Sequence, residues 1–211
     1  MVYKDKFLEK LIDSNKLEWE KMMSHKFVKE IGSGKLKSTF FIKYLNIEHS
    51  FVVDAVDHLT MAMFLTKNID SKKYLHKILD GLLNDQNSFF IKAKKNLNKK
   101  NHIPEKAKIF RKFMKSCSKK GYEEIIVSFL AAESIYNNWC FNELSKTKNN
   151  NKTFSEWMRI HTSKSFFNQV KFFSEEAQHI NLNKDPSDKQ KNIFRDTLKY
   201  EIIFHDSIYT K

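Results

Sequence analysis

The sequence predicts an all-α protein, a single-domain bundle of about seven helices spanning residues 1–211. Three observations predict it. Apolar residues recur at spacings of three, four and seven along most of the 211-residue chain, the repeat of one face of an amphipathic helix. Four Gly and two Pro make up about 3% of the chain, where roughly 12% is usual. The turns that sandwiches and barrels require are therefore scarce. Strand-type alternation is weak, and neither an internal repeat nor a shift in composition marks a second domain.

The elements follow in order. From Asp5 to Ile31, Phe7, Leu8, Leu11, Ile12, Trp19, Met22 and Met23 form one stripe, which Gly32-Ser33-Gly34 ends. Ser38 reads as the N-cap of a long helix from about Thr39 to Lys67, carrying Phe41, Tyr44, Leu45, Ile47 and Phe51. Asp70-Ser71 opens a third helix that runs to about Asn98. Asn101 to Pro104 is a break, and Pro104 suits the first turn of a fourth helix ending near Lys120-Gly121. The fifth, Tyr122 to Ser145, is the most apolar and is expected in the middle of the bundle. Thr147 to Thr153 reads as a polar loop. The sixth, about Phe154 to Ile180, is interrupted near His161-Thr162-Ser163, and Asp185-Pro186-Ser187 starts the last helix, to about Tyr209.

Composition narrows the function. A chain this long buries a core without disulfide or metal staples. Cys117 and Cys140 are too few and too distant for a zinc framework, and a secreted disulfide scaffold is not indicated. The charged N-terminus lacks an apolar signal core. Ile125 to Ala132, the longest near-apolar stretch, is far short of the roughly 20 residues that span a bilayer. A cytoplasmic location without membrane association is expected. There is neither a GxGxxG motif nor a Walker A loop. The 38 basic residues exceed the 25 acidic ones by 13, but only Arg111, Arg159 and Arg195 are arginine. Base readout favours the planar guanidinium, and the lysines are spread along the chain. A solvated lysine surface is preferred to a polyanion partner, and no specific nucleic-acid contact is expected.

Function should then show as polar groups on apolar helices, since burying them costs several kcal/mol unless something offsets it. Glu133 lies in IIVSFLAAESIYNNW with Tyr136 three residues on, so carboxylate and phenol share a face. It reads either as a carboxylate in a ligand cavity or as a buried Glu held for packing specificity. Glu48, one turn before Phe51, and Glu201, in TLKYEIIFHDSIY, are similar. Of Asp54 and Asp57, at least one is expected to face water. Di-iron bundles need paired Glu-x-x-His motifs on facing helices. Here Glu48 and His49 are adjacent and Glu201-x3-His205 stands alone, so no metal site is expected. Cys140 reads as a small core filler.

Several stretches resemble the TenA family of thiaminase II-type aminopyrimidine aminohydrolases. Trp19 followed by Ser24 to Leu45 is similar to its N-terminal signature at His25, Phe27, Ile31, Gly34, Leu36, Phe41 and Tyr44. AAESIYNNW (Ala131 to Trp139), FSEWMRIHTSKSF (Phe154 to Phe166) and YEIIFHDSIY (Tyr200 to Tyr209) continue the likeness in order along the chain. The resemblance implies a heme-oxygenase-like helical bundle without haem or other cofactor, assembled as a homo-oligomer (dimer or tetramer). It also implies hydrolysis of 4-amino-5-aminomethyl-2-methylpyrimidine, or its N-formyl form, to the hydroxymethyl pyrimidine in thiamin salvage.

The family's residues carry over position by position. The common branch has a Cys four residues before the fifth-helix Tyr, where this chain has Ala132. A second branch has instead a Glu three residues before it, as Glu133 precedes Tyr136. The acidic pyrimidine ligand of the second helix falls on Glu48, its aromatic neighbour on Phe51, the sixth-helix Tyr on His161 and the last-helix Glu on Glu201. The resemblance thus implies Glu133 and Glu201 as catalytic and Glu48, Phe51, Tyr136 and His161 as substrate-binding, all expected around one internal cavity. A carboxylate can grip the amidine-like edge of an aminopyrimidine with two hydrogen bonds. Stacking by Phe51 and Tyr136 is worth about 1 kcal/mol each beyond area burial. A carboxyl in an apolar stretch keeps its proton to higher pH and suits Glu201 to acid/base work, with Glu133 activating water. The alternatives are a non-catalytic pyrimidine- or thiamin-binding protein, discriminated by ammonia release, and a di-iron oxidase on the same fold, discriminated by iron content.

Overall fold

The computed structural model describes residues 1–94, 103–146, 152–182 and 184–210. Its α-helices are α1 (Lys6–Ser14), α2 (Lys16–Met23), α3 (Lys26–Gly32), α4 (Ser38–Leu65), α5 (Ile69–Gly81), α6 (Asn87–Lys94), α7 (Glu105–Lys120), α8 (Tyr122–Lys146), α9 (Lys152–Ile160), α10 (Lys164–Ile180) and α11 (Asp188–Asp206). A π-helical turn, Leu82–Gln86, joins α5 to α6, and a 3-10 turn, Ser207–Tyr209, ends the chain. No strand occurs among the described residues. Chain contacts resolve two compact units. Unit 1 holds Met1–Leu36 and Ile126–Ile202, and unit 2 holds Lys37–Ile125 and Ile203–Lys211.

The predicted helices recur with their ends shifted. The first is three helices, because interruptions of one and two residues divide it without breaking its stripe. Asn15 parts α1 from α2, its buried side chain donating from Nδ2 to the Leu11 carbonyl at 2.9 Å. Ser24 and His25 part α2 from α3. Ser38 is not the N-cap of α4 but its first residue. The cap position is Lys37, whose side chain makes no capping bond. Asn68 caps α5 instead of Asp70-Ser71, accepting from the Asp70 amide at 2.8 Å and the Ser71 amide at 3.3 Å. Pro104 stands one residue before α7, as its cap. The start of the polar loop (147–151), the end of the third helix (95–98) and Asn101 lie outside the described residues.

Two predicted boundaries have local causes. The break at 161–163 separates α9 from α10, where Ser163 Oγ caps α10 by accepting from the Phe166 amide at 3.1 Å. Ser187 and Gln190 form a reciprocal capping box at α11. The Gln190 amide donates to Ser187 Oγ at 3.1 Å, and the Ser187 amide donates to Gln190 Oε1 at 3.0 Å.

In unit 1 the side chains of α8 meet those of α3 and α10. Phe27 packs edge-on against Trp139 with centroids 6.0 Å apart, and Phe129 stacks on Phe173 at 5.6 Å. Asp5 ties α1 to α10: its Oδ1 accepts from the Leu8 amide at 2.7 Å, and its Oδ2 accepts from Ser174 Oγ at 2.8 Å. In unit 2, α4 and α7 join with the chain end. Phe51 stacks on Phe110 at 4.9 Å, and Phe204 closes on both edge-on at 6.1 and 5.5 Å. Such offset and edge-to-face pairs add about 0.5–1.5 kcal/mol each to the area they bury.

Most residues of the N-terminal signature have a folding role. His25 caps α3, its Nδ1 accepting from the Phe27 amide at 3.1 Å. Phe27, Ile31 and Tyr44 are fully buried, and Leu36 and Phe41 nearly so. Gly34 takes φ 71°, open to glycine at no steric cost. Gly32 makes room for the buried Glu143, which accepts from Lys29 and Lys146 at 3.4 Å. A Cβ on Gly32 would lie 2.2 Å from Glu143 Oε2 and 2.8 Å from its Cβ. Gly32→Ala should therefore destabilise the protein by about 1–3 kcal/mol, read as a lowered urea midpoint. An unchanged midpoint would show that Glu143 moves aside freely.

Candidate functional site

The site residues are built on two units and are described unit by unit. In unit 1, α8 is buried from Glu124 to Cys140 except at Glu133 and Asn138, which are half-buried. Glu133 thus interrupts an otherwise closed helix. One turn on are Tyr136, 5% exposed, and Asn137, fully buried. Glu133 and Tyr136 stand three residues apart on α8, the carboxylate being the more exposed of the two. Glu201, near the end of α11, is 1% exposed.

His161 is the pivot of this cluster. It follows the last residue of α9 and is 4% exposed. Its ring lies 5.0 Å from that of Tyr136 at 33°, 4.3 Å from Trp157 and 4.7 Å from Phe166, both edge-on. Nδ1 sits 3.0 Å from the Trp157 carbonyl. A carbonyl only accepts, so the proton is assigned to Nδ1 and Nε2 is the ring's acceptor. Burial pushes the imidazole pKa down to about 4, against the opposing pull of the Trp157 carbonyl. The ring is neutral near pH 7.

Asn137 holds this corner from the other side. Its Nδ2 donates to the His161 carbonyl at 2.8 Å and to the Met1 carbonyl at 3.3 Å, while Oδ1 accepts from the Tyr3 amide at 3.0 Å. Sequence reasoning passed over Asn137. The available signal was a second amide-bearing residue beside Tyr136 in a run of buried apolar positions. Cys140 is fully buried and in no disulfide, as a core filler should be.

In unit 2, Glu48 is 4% exposed on α4, one turn before Phe51. Phe51 is 9% exposed, with one face on Phe110 and Phe204 packed edge-to-face against it. Asp54 is half-buried and receives a two-point contact from Arg111, the Nη2 arm measuring 2.8 Å, while Asp57 is exposed. The expectation that one of the two faces water therefore holds. His49 packs on Phe90 at 4.9 Å. Its Nε2 lies 2.9 Å from Asn87 Oδ1 and its Nδ1 2.8 Å from Lys94 Nζ. Burial foremost lowers the pKa of His49 and lowers that of Lys94 to about 8. Among the described residues no group of three or more His, Cys, Asp or Glu side chains is arranged to hold a metal ion. No helix there is long and apolar enough to cross a membrane.

Among the described residues the secondary structure is all helical, with a buried imidazole–phenol pair and acids set in apolar helices. This chain belongs to the TENA/THI-4/PQQC family, whose model matches residues 12–211. Solved structures share the fold. A TenA homologue from Pyrococcus furiosus superposes with a TM-score of 0.87 at 20% identity, covering 96% of this chain and 100% of that one. One from P. horikoshii gives 0.84 at 19% identity, covering 96% and 98%. A TenA family transcription regulator from a Silicibacter species gives 0.87 at 10% identity, covering 98% and 97%. No curated protein matches the sequence.

The buried imidazole has a pH signature. Its pKa lies near 4 in the folded state and about 6.5 unfolded. Between those values the unfolded chain binds the extra proton, so stability falls as the pH drops through this window. His161 alone should cost about 2 kcal/mol between pH 7 and pH 5. Urea midpoints across that range should fall less steeply for His161→Phe than for the wild type. Equal slopes would mean that the ring reaches a proton in the folded state.

Proposed function

We propose that the protein hydrolyses the exocyclic C–N bond of 4-amino-5-aminomethyl-2-methylpyrimidine, or of its N-formyl derivative, and thereby serves thiamin salvage. Membership of the TENA/THI-4/PQQC family over residues 12–211 supports a thiamin-related role. The observation that carries the specific reading is the α8 arrangement. The half-buried Glu133 lies one turn before Tyr136, whose ring meets a neutral, buried His161.

The roles are assigned residue by residue. Tyr136 offers an aromatic face to the pyrimidine, and His161 backs it while presenting Nε2 as an acceptor. Glu48 takes the amidine-like edge of the ring through two hydrogen bonds, and Phe51 contributes apolar surface. Glu133, as carboxylate, accepts a proton from water as the oxygen attacks the exocyclic methylene. Glu201, as carboxylic acid, gives its proton to the leaving nitrogen. The C–N bond breaks, the C–O bond forms, and ammonia and the hydroxymethyl pyrimidine leave. Proton exchange with solvent restores both carboxyls. With the formylated substrate, water first attacks the formyl carbon, the amide C–N bond breaks, formate departs and the nitrogen takes up a proton to give the aminomethyl pyrimidine, which then loses ammonia as above. A non-catalytic pyrimidine-binding protein is the second reading. The residues Glu48, Phe51 and His161, at positions where the resemblance implies Asp, Tyr and Tyr, favour it.

Glu133→Gln keeps size and hydrogen bonding but removes the base. Ammonia release should drop by roughly 10²–10⁴-fold, the usual worth of one positioned acid/base group, with substrate affinity much less affected. Cys140→Ser should be nearly silent, since that thiol lies in the core two helical turns further along α8. A dead Cys140→Ser beside a live Glu133→Gln would contradict the assignment. Loss of binding together with turnover in Glu133→Gln would favour the binding-protein reading.

A further inference from the structure

Unit 2 carries a recess of its own between α4 and α7, with a volume of about 540 Å³. Small-ligand pockets run to roughly 300–1,000 Å³. The α4 side supplies Asp54, Asp57, His58 and Met61, and the α7 side is basic. Lys108, Lys112, Lys115 and Lys119 follow at intervals of four, three and four residues, so their ammonium groups share one face of the helix.

Two features separate this recess from the general lysine excess of the chain. First, the stripe is not neutralised from within. Like charges one turn apart weaken a helix. Lys108 pairs with Glu105, yet Lys112, Lys115 and Lys119 form no ion pair among the described residues. Of the two acids facing them, Asp54 is engaged by Arg111 and Asp57 is exposed. Second, the floor is polar and enclosed. His58 is 7% exposed, and its Nδ1 lies 2.6 Å from Ser118 Oγ. Its Nε2 is fully buried without a hydrogen-bond partner among the described residues. Ser118 Oγ also lies 3.2 Å from the Met114 carbonyl; its one proton is assigned to the shorter contact with Nδ1, which places the ring proton on Nε2 as a donor in want of an acceptor. Burial above all lowers the pKa of His58, with Asp54 and Asp57 opposing and Lys115 and Arg111 assisting.

We propose that the α4–α7 recess is a second ligand site, for a small organic phosphate ester, with Lys112, Lys115 and Lys119 on the anion and Met61 and the lysine stems against its apolar body. His58 closes the floor as a hydrogen-bond donor. A phosphate fits better than a carboxylate. Asp54 already occupies the one guanidinium fork, and the remaining cations are point charges, which suit a multiply charged tetrahedral anion. The buried His58 at the floor fits a small molecule better than a nucleic-acid backbone, which needs only a surface stripe.

Calorimetric titration of the full chain with phenyl phosphate at about 50 mM salt tests the proposal. Saturable binding of one ligand per chain is expected. Lys112→Gln combined with Lys115→Gln should weaken it by at least about tenfold, because two charge-assisted contacts are lost. Lys16→Gln combined with Lys191→Gln removes the same charge from α2 and α11 and should leave binding intact. The Lys112/Lys115 variant should also keep its thermal unfolding and any aminopyrimidine turnover. Absence of saturable binding, or equal weakening in both double variants, would overturn the proposal. So would a single-stranded oligonucleotide that binds more tightly through the same two lysines, which would assign the stripe to nucleic acid.

Discussion

The buried imidazole of His161 is the constraint from which the functional end of unit 1 follows. A helix break must satisfy its freed backbone groups, and here one residue serves on both sides of its peptide. Its Nδ1–H returns to the Trp157 carbonyl, and its own carbonyl accepts from Asn137. That double use fixes where α9 ends and how α8 faces it, because Asn137 belongs to α8. Tyr136, the adjacent residue, is thereby brought against the imidazole ring. Burying an imidazole is unfavourable for its charged form, so the arrangement holds a neutral ring and excludes a cation from the wall beside Tyr136. The N-terminal segment is drawn in as well, since Asn137 also binds the Tyr3 amide and the Met1 carbonyl.

A carboxylate behaves differently beside such a wall than in water. A general base must exchange its proton with the attacking water and with solvent. Glu133 is half-buried on α8, and Glu201 lies deeper, on α11. Two carboxyls of unequal burial are a common route to opposite proton-transfer roles. Where the resemblance implies a tyrosine, His161 gives the wall a neutral acceptor without adding charge. The aromatic enclosure is retained through Trp157 and Phe166.

Much of the fold was legible because helical periodicity and capping chemistry are local. Ser187 with Gln190, the interruption at 161–163 and the turn at Gly34 each announce themselves within a few residues. The breaks at Asn15 and at Ser24-His25 did not, since an interruption of one or two residues leaves the three-four spacing of the apolar stripe almost intact. The π turn at Leu82–Gln86 was hidden for the same reason, and the start of α4 at Ser38 because its cap, Lys37, contributes no side-chain bond. At the site, Glu48, Glu133 and Glu201 stood out as acids among apolar neighbours. Asn137 and His58 did not, because their partners lie 24 to 136 and 60 residues away, respectively. The lysines of α7 read as evenly spread charge until the helix placed four of them on one face.

The central claim is that water, activated by a carboxylate, replaces the exocyclic amine of an aminopyrimidine. Turnover of 4-amino-5-aminomethyl-2-methylpyrimidine in ¹⁸O-labelled water, read by mass spectrometry with parallel ammonia determination, tests it most directly. The account predicts one labelled oxygen in each hydroxymethyl product and one ammonia per product formed. Tight binding of the pyrimidine without ammonia or labelled alcohol would contradict it.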